Sequence, residues 1–166
     1  MEPRFRFWVP GPLPAQNEMI AAAKGFGGRG IGYSQLKSSW TSTIAWIAKA
    51  AHIPKMERIR LEFEWVSRDR RHDPDNIEAG QKFVWDALKV AGIIENDGWD
   101  QNAGSTHRHR LCIRKDSDAL VEKPGVWVTV IPEPDLVAHR TLTPVVTRRL
   151  APLVDGRHKG ETKDGE

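Results

Sequence analysis

Hydrophobic and polar positions alternate from the start of the chain: Phe5, Phe7 and Val9 are separated by Arg6 and Trp8, and Pro10-Gly11 end the run. A period of two predicts a strand. From Pro12 to Tyr33 no period is sustained, so that stretch reads as loop. Leu36, Trp40, Ile44, Ile47 and Ala51 then recur every three or four residues, which predicts an amphipathic helix over 34–51. Ile59, Leu61, Phe63 and Trp65 alternate with Arg58, Arg60, Glu62 and Glu64, and only Val66 breaks the polar face. This is the clearest strand of the chain.

A second helix follows an acidic pair. At about 100° per residue, Ile77, Gly80, Val84, Ala87, Leu88 and Ala91 share one arc, and Gly92 is a natural stop. Shorter strand patterns follow at 108–114 and 126–131. The order strand, helix, strand, helix, strand, strand includes hairpin-like neighbours. It predicts a single α+β domain, a mixed β-sheet with two main helices on one face.

At 166 residues the chain suits one such domain, over 1–133, followed by a C-terminal extension over 134–166. The extension carries Pro144 and Pro152 and only polar, glycine and charged residues from Asp155 onward, so partial disorder is expected. Between them, Val145, Val146, Leu150, Leu153 and Val154 are apolar enough to dock on the domain or on a second subunit. No apolar run approaches the roughly 18 residues of a membrane helix, and Met1-Glu2-Pro3-Arg4-Phe5-Arg6 lacks a secretory apolar stretch. A cytoplasmic protein without a membrane partner is the expectation. The single cysteine, Cys112, can make no internal disulfide and is too few for a Cys-based structural zinc site.

A net charge of +3 permits nucleic-acid binding without demanding it. Its distribution says more. Arg68, Arg70, Arg71 and His72 crowd before the acidic pair, and His107, Arg108, His109, Arg110, Arg114 and Lys115 form a second basic stretch. Each run also fits a solvated face. Gly25-Phe26-Gly27-Gly28-Arg29-Gly30 matches a dinucleotide-binding pattern, but no strand directly precedes it and Lys49 and Ala50 stand where an acid is required. That reading is rejected, and Arg29 is left as a cation on a glycine-rich loop.

His72-Asp73-Pro74-Asp75-Asn76 opens the second helix. Asp73 suits an N-cap, proline the first helical position, and Asp75 the positive end of the helix dipole. Two carboxylates one residue apart are equally a pair of hard oxygen ligands for a divalent cation. Lys82 lies seven residues after Asp75 on the same stripe, with Asp86 nearby, and also at the spacing of a surface pair with Glu78. Asp97, within Glu95-Asn96-Asp97-Gly98, is a turn residue by composition.

Asp73-Pro74-Asp75-Asn76-Ile77, Lys82, Asp86-Ala87-Leu88, Gly92 and Asp97, in that order and spacing, resemble the signature of the RusA family of Holliday junction resolvases. Asn17, Tyr33, Lys37 and Trp40 are similar to that family's amino-terminal half, so the likeness spans about residues 4–131. The resemblance implies a dimeric, Mg²⁺-dependent endodeoxyribonuclease, with Mn²⁺ as an alternative ion. It implies catalytic residues Asp73, Asp75, Asp97 and Lys82, the three aspartates holding the metal, and four-way DNA junctions as substrate. One position departs: the family carries paired aspartates where this chain has Asn96-Asp97. Arg29, Lys37, Arg68, Arg70, Arg71, Arg108, Arg110 and Arg114 become the candidate DNA contacts.

Two rivals stand beside this reading. A non-catalytic DNA-binding protein would use the acids only as helix caps. A zinc site from His72, His107, His109 and Cys112 would need ligands whose spacings match no zinc motif. Of the tryptophans, Trp40 and Trp65 lie on apolar faces and read as core. Trp8, Trp46 and Trp99 fall off the periodic faces and suit either a base or a dimer interface.

Overall fold

The computed structural model describes residues 2–25, 32–113 and 122–134. Arg29, Arg114 and the extension from 135 onward lie outside these residues. The elements are β1 (Phe5–Pro10), α1 (Gln16–Ala23), α2 (Tyr33–Ala50), β2 (Ile59–Ser67), α3 (Pro74–Glu78), α4 (Gln81–Val90), β3 (Asn102–Leu111) and β4 (Gly125–Pro132). The strands form one mixed sheet in the order β1-β4-β2-β3. β4 runs antiparallel to β1 and β2, while β2 and β3 are parallel. Parallel neighbours need a crossover connection, and α3 and α4 lie in it.

One sheet face carries the alternating apolar residues of β1, β2 and β4: Phe7 and Val9, then Leu61, Phe63 and Trp65, then Val126, Val128 and Val130. These pack with Ile44, Ala45 and Ala48 of α2 and with Phe83, Val84, Ala87 and Leu88 of α4. The domain is α+β, with its helices on the face that the alternation predicts. No helix among the described residues is long and apolar enough to cross a membrane.

The opposite face is charged. Arg4, just before β1, and Arg6 on β1 reach Glu62 and Glu64 on β2 at 3.0 and 2.6 Å, and Arg110 on β3 reaches Glu64 at 2.6 Å. Trp8 and Trp127 pack with ring centroids 5.1 Å apart, and the Arg6 guanidinium sits 4.4 Å over Trp127. Trp8 therefore belongs to the sheet's own open face. Gly125, which pairs with Pro10, is required by the close approach: a β-carbon there would collide with the Trp8 ring and the Val9 carbonyl oxygen.

Three elements differ from expectation. α1 occupies part of the stretch expected as loop. It buries no residue, so it has no apolar stripe to read, yet the Glu18 carboxylate accepts the Ala15 N–H at 3.0 Å and closes its first turn. The second predicted helix is broken at Ala79-Gly80, where bonds tighten to the i−3 pattern: Gly80 N–H to Ile77 O at 3.0 Å and Phe83 N–H to Gly80 O at 3.1 Å. The break lies under β1's loop, for a β-carbon on Gly80 would stand 2.9 Å from that of Leu13. β3 begins at Asn102 rather than 108, because an edge strand with a largely polar sequence shows little alternation.

Candidate active site

The chain leaves the C-terminal end of β2 at Ser67 and enters α3 through Arg68–His72. Asp73 takes the N-cap position and Pro74 the first helical one, as the local pattern dictates, but the Asp73 side chain makes no capping hydrogen bond. Its carboxylate is not consumed by the helix. Asp75 in the first turn is exposed, and neither acid has a hydrogen-bond or ion-pair partner among the described residues.

Asp73 lines an open cleft of about 340 Å³ between this loop and the end of β3, together with Asp69, Arg70, His72, His109 and Arg110. A second, mainly apolar cleft of about 310 Å³ shares Ser67, Asp69, His72 and Ile77 with it. His109 Nε2 lies 2.8 Å from Glu78 Oε1, which ties β3 to α3. Trp65 donates its indole N–H to His107 Nδ1 at 3.1 Å, and the His107 ring stacks on Phe63 at 5.0 Å. Burial holds the His107 pKa below the ordinary histidine value, so a neutral acceptor ring fits the hydrogen bond. Both histidines are thus committed to the fold. No group of three or more His, Cys, Asp or Glu residues among those described could hold a metal, which removes the zinc reading there.

Lys82 on α4 is exposed and has no partner among the described residues; its expected neighbour Glu78 is taken by His109. One turn on, Asp86 receives the Lys37 ammonium of α2 at 2.9 Å. The hydrogen bond to Asp86 raises the Lys37 pKa above its ordinary value, with smaller contributions from Tyr33 and Asp97 and opposed by desolvation. Lys89 then lies 3.3 Å from Asn96 Oδ1 and 3.8 Å from Asp97 Oδ1. Asn96 Oδ1 also accepts the Asp97 N–H at 2.9 Å, so the amide that departs from the family's pattern fixes the Asp97 turn.

Of the expected DNA contacts, Lys37 is paired with Asp86 and Arg110 is clamped by Glu64 and Glu122. Arg71 is 3.5 Å from Asp69. Arg70 lines the Asp73 cleft, Arg68 the apolar one, and Arg108 is exposed on β3. The sequence reading missed both cross-element pairs, Glu78–His109 and Lys37–Asp86, since each joins residues far apart in the chain. The only local sign was Asp86 standing four residues after Lys82.

The parallel pairing of β2 with β3 decides where the acids lie. Ser67 pairs with Leu111 at one end and Ile59 with Asn102 at the other. Asp73 follows the first end. Asp97 precedes the second, where Arg58 Nη1 donates to the Trp99 and Asp100 carbonyls at 3.0 and 2.9 Å. The strand between spans roughly 25 Å at its ordinary rise per residue. A single chain therefore does not gather Asp73, Asp75 and Asp97 into one cluster. No protein-family model matches the chain, and no curated protein matches it.

Proposed function

We propose that the chain is a Mg²⁺-dependent endodeoxyribonuclease that resolves four-way DNA junctions by phosphodiester hydrolysis, in the manner of the RusA family it resembles. One observation carries the reading: Asp73 stands at a helix N-cap without capping it, and it opens, beside the exposed Asp75, on a cleft that Arg70 also lines. A carboxylate used only as a cap would be bonded to its helix.

The donor chemistry suits Mg²⁺ (or Mn²⁺), which is usually held by one or two carboxylates with phosphate oxygens and water rather than by an all-protein cage. Bound by Asp73 and Asp75, the ion would supply charge neutralisation at the scissile phosphate. Lys82, exposed and unpaired among the described residues, adds a positive charge for the phosphate. Of the expected contacts among the described residues, Arg70 and Arg108 are the basic side chains left to hold the DNA backbone. Asp97 belongs to the opposite end of β2, so we assign the third carboxylate to a second copy, in a homodimer cutting two strands symmetrically.

The test is cleavage of a labelled four-way junction by wild-type protein and Asp75→Asn, with Mg²⁺ and with EDTA. Paired nicking that requires both the metal and Asp75 is expected, with junction binding retained in the variant. Binding without nicking under any divalent metal would overturn the reading in favour of a non-catalytic junction binder. Mixing inactive Asp73→Asn with inactive Asp97→Asn should restore nicking, because one site of the mixed dimer then keeps both carboxylates; no restoration would refute the shared site.

A further inference from the structure

We infer that Trp99 anchors the two-fold dimer by seating its indole in the apolar cleft beside Asp73 of a second copy. The inference rests on the homodimer reading above and names the contact that makes it.

Trp99 is 95% exposed, more than any other large hydrophobic residue described, yet its backbone is firmly held. Arg58 Nη1 donates to the Trp99 carbonyl at 3.0 Å and to the Asp100 carbonyl at 2.9 Å. Ile59 N–H donates to Gln101 O at 2.9 Å, and Asn102 N–H to Gly98 O at 2.9 Å. An indole presented on a fixed turn has only its own two side-chain torsions left to order on binding, which suits an interface anchor. The other off-face tryptophans lack this combination. Trp8 packs on Trp127, and Trp46, 73% exposed, sits on a helix that presents no comparable loop.

The receptor is the cleft of about 310 Å³ walled by Pro12, Leu13, Trp65, Ile77 and Pro124. Glu18 and Asp69 in the same wall are acceptors for an indole N–H. Anchor and receptor stand at opposite ends of β2, so one chain cannot satisfy its own cleft. Two chains lying antiparallel about a two-fold axis satisfy both clefts at once, and the contact closes without leaving a third surface for growth. Asp97 is two residues from Trp99, and the apolar cleft shares Ser67, Asp69, His72 and Ile77 with the Asp73 cleft. Docking the indole thus carries Asp97 of one chain toward Asp73 and Asp75 of the other.

Sedimentation velocity over a concentration series, on wild type, Trp99→Ala, Trp99→Phe and Pro12→Glu, tests this, with junction cleavage measured on the same samples. Pro12 is exposed at the cleft, so charging it leaves the core intact. The expected result is a dimer constant weakened about 30-fold or more by Trp99→Ala. Trp99→Phe should fall between, and Pro12→Glu should add little to Trp99→Ala, as coupled contacts do. An unchanged dimer constant in Trp99→Ala, or full additivity of the two substitutions, overturns the anchor. So does an intact Trp99→Ala dimer with weakened junction binding, which would hand the indole to DNA. If Trp99→Ala dissociates a dimer that cuts no DNA, the anchor stands and the nuclease reading falls. A wild type that nicks junctions as a monomer overturns the anchor and the shared site together and leaves the nuclease reading standing.

Discussion

Replacing Lys37 by methionine keeps a long side chain on α2 and removes its charge. Asp86 on α4, with a side chain only 18% exposed, then loses the ammonium that stands 2.9 Å from its Oδ2. That oxygen is closed off from solvent and has no other partner among the described residues. Stranding a fully buried charge costs about 3–5 kcal/mol. Here Lys37 is 37% exposed, so water already screens the pair, and a cost of about 1–3 kcal/mol is the better expectation. With a urea dependence of about 2 kcal/mol per molar, the midpoint should fall by about 0.5–1.5 M. Adding Asp86→Leu should recover part of the loss, since no charge is then left unpaired. Pairing raises the Lys37 pKa, so its contribution is complete below about pH 10.4, the ordinary lysine value, and is lost as pH rises through the raised one. The gap between wild type and variant should be constant from neutral pH to about pH 9 and close at higher pH. Urea unfolding followed by circular dichroism supplies both readings. An unchanged midpoint at pH 7, with a shallower salt dependence of junction binding, would refute the reasoning and return Lys37 to the phosphate backbone.

Two further outcomes are expected from the open sheet face. Arg110 bonds Glu122 at 2.5 and 2.7 Å and holds its carboxyl below the usual range, so that stabilisation is present above the ordinary value of about 4.5 and lost as pH falls through the depressed one. Thermal melts from pH 7 to pH 3 should therefore show Arg110→Ala less stable at pH 7 and losing less on acidification than wild type; parallel curves would argue against the linkage. Gly125→Ala should cost about 1–3 kcal/mol in urea, because Trp8 and the Val9 backbone must move; a neutral substitution would mean that β1 slides freely over β4.

The parts of the fold that were legible are those where burial writes a period into the chain. Leu61, Phe63 and Trp65 alternate because one face of β2 meets the helices, and Val84, Ala87 and Leu88 share an arc because α4 lies on that face. Where burial is absent the period is absent too. α1 buries nothing, and β3 at the sheet edge carries Thr106, Arg108 and Arg110 on one side and His107 and His109 on the other, so neither face reads as apolar. The break at Gly80 was hidden for another reason. A glycine on a helical arc looks like a small core residue, and only the approach of Leu13, distant in sequence, turns it into a joint.

The acidic residues show the same division between local and distant information. Asp73, Pro74 and Asp75 were placed correctly at a helix start, because capping depends on neighbours in the chain. Whether Asp73 caps or stays available is decided by the loop from β2, which no local rule describes. The stripe from Asp75 to Lys82 assumed an unbroken helix, whereas the bonding tightens at Ala79-Gly80 between α3 and α4. The grouping of Asp97 with the pair came from the resemblance alone; by its own composition Asp97 read as a turn residue. A parallel crossover takes the chain from one end of β2 back to the other before β3 begins, so the acids before and after it stand toward opposite ends of β2 and form no common cluster. On the shared-site proposal the separated ends would meet between two chains, so the mixed-subunit experiment, rather than any single substitution, decides how the site is built.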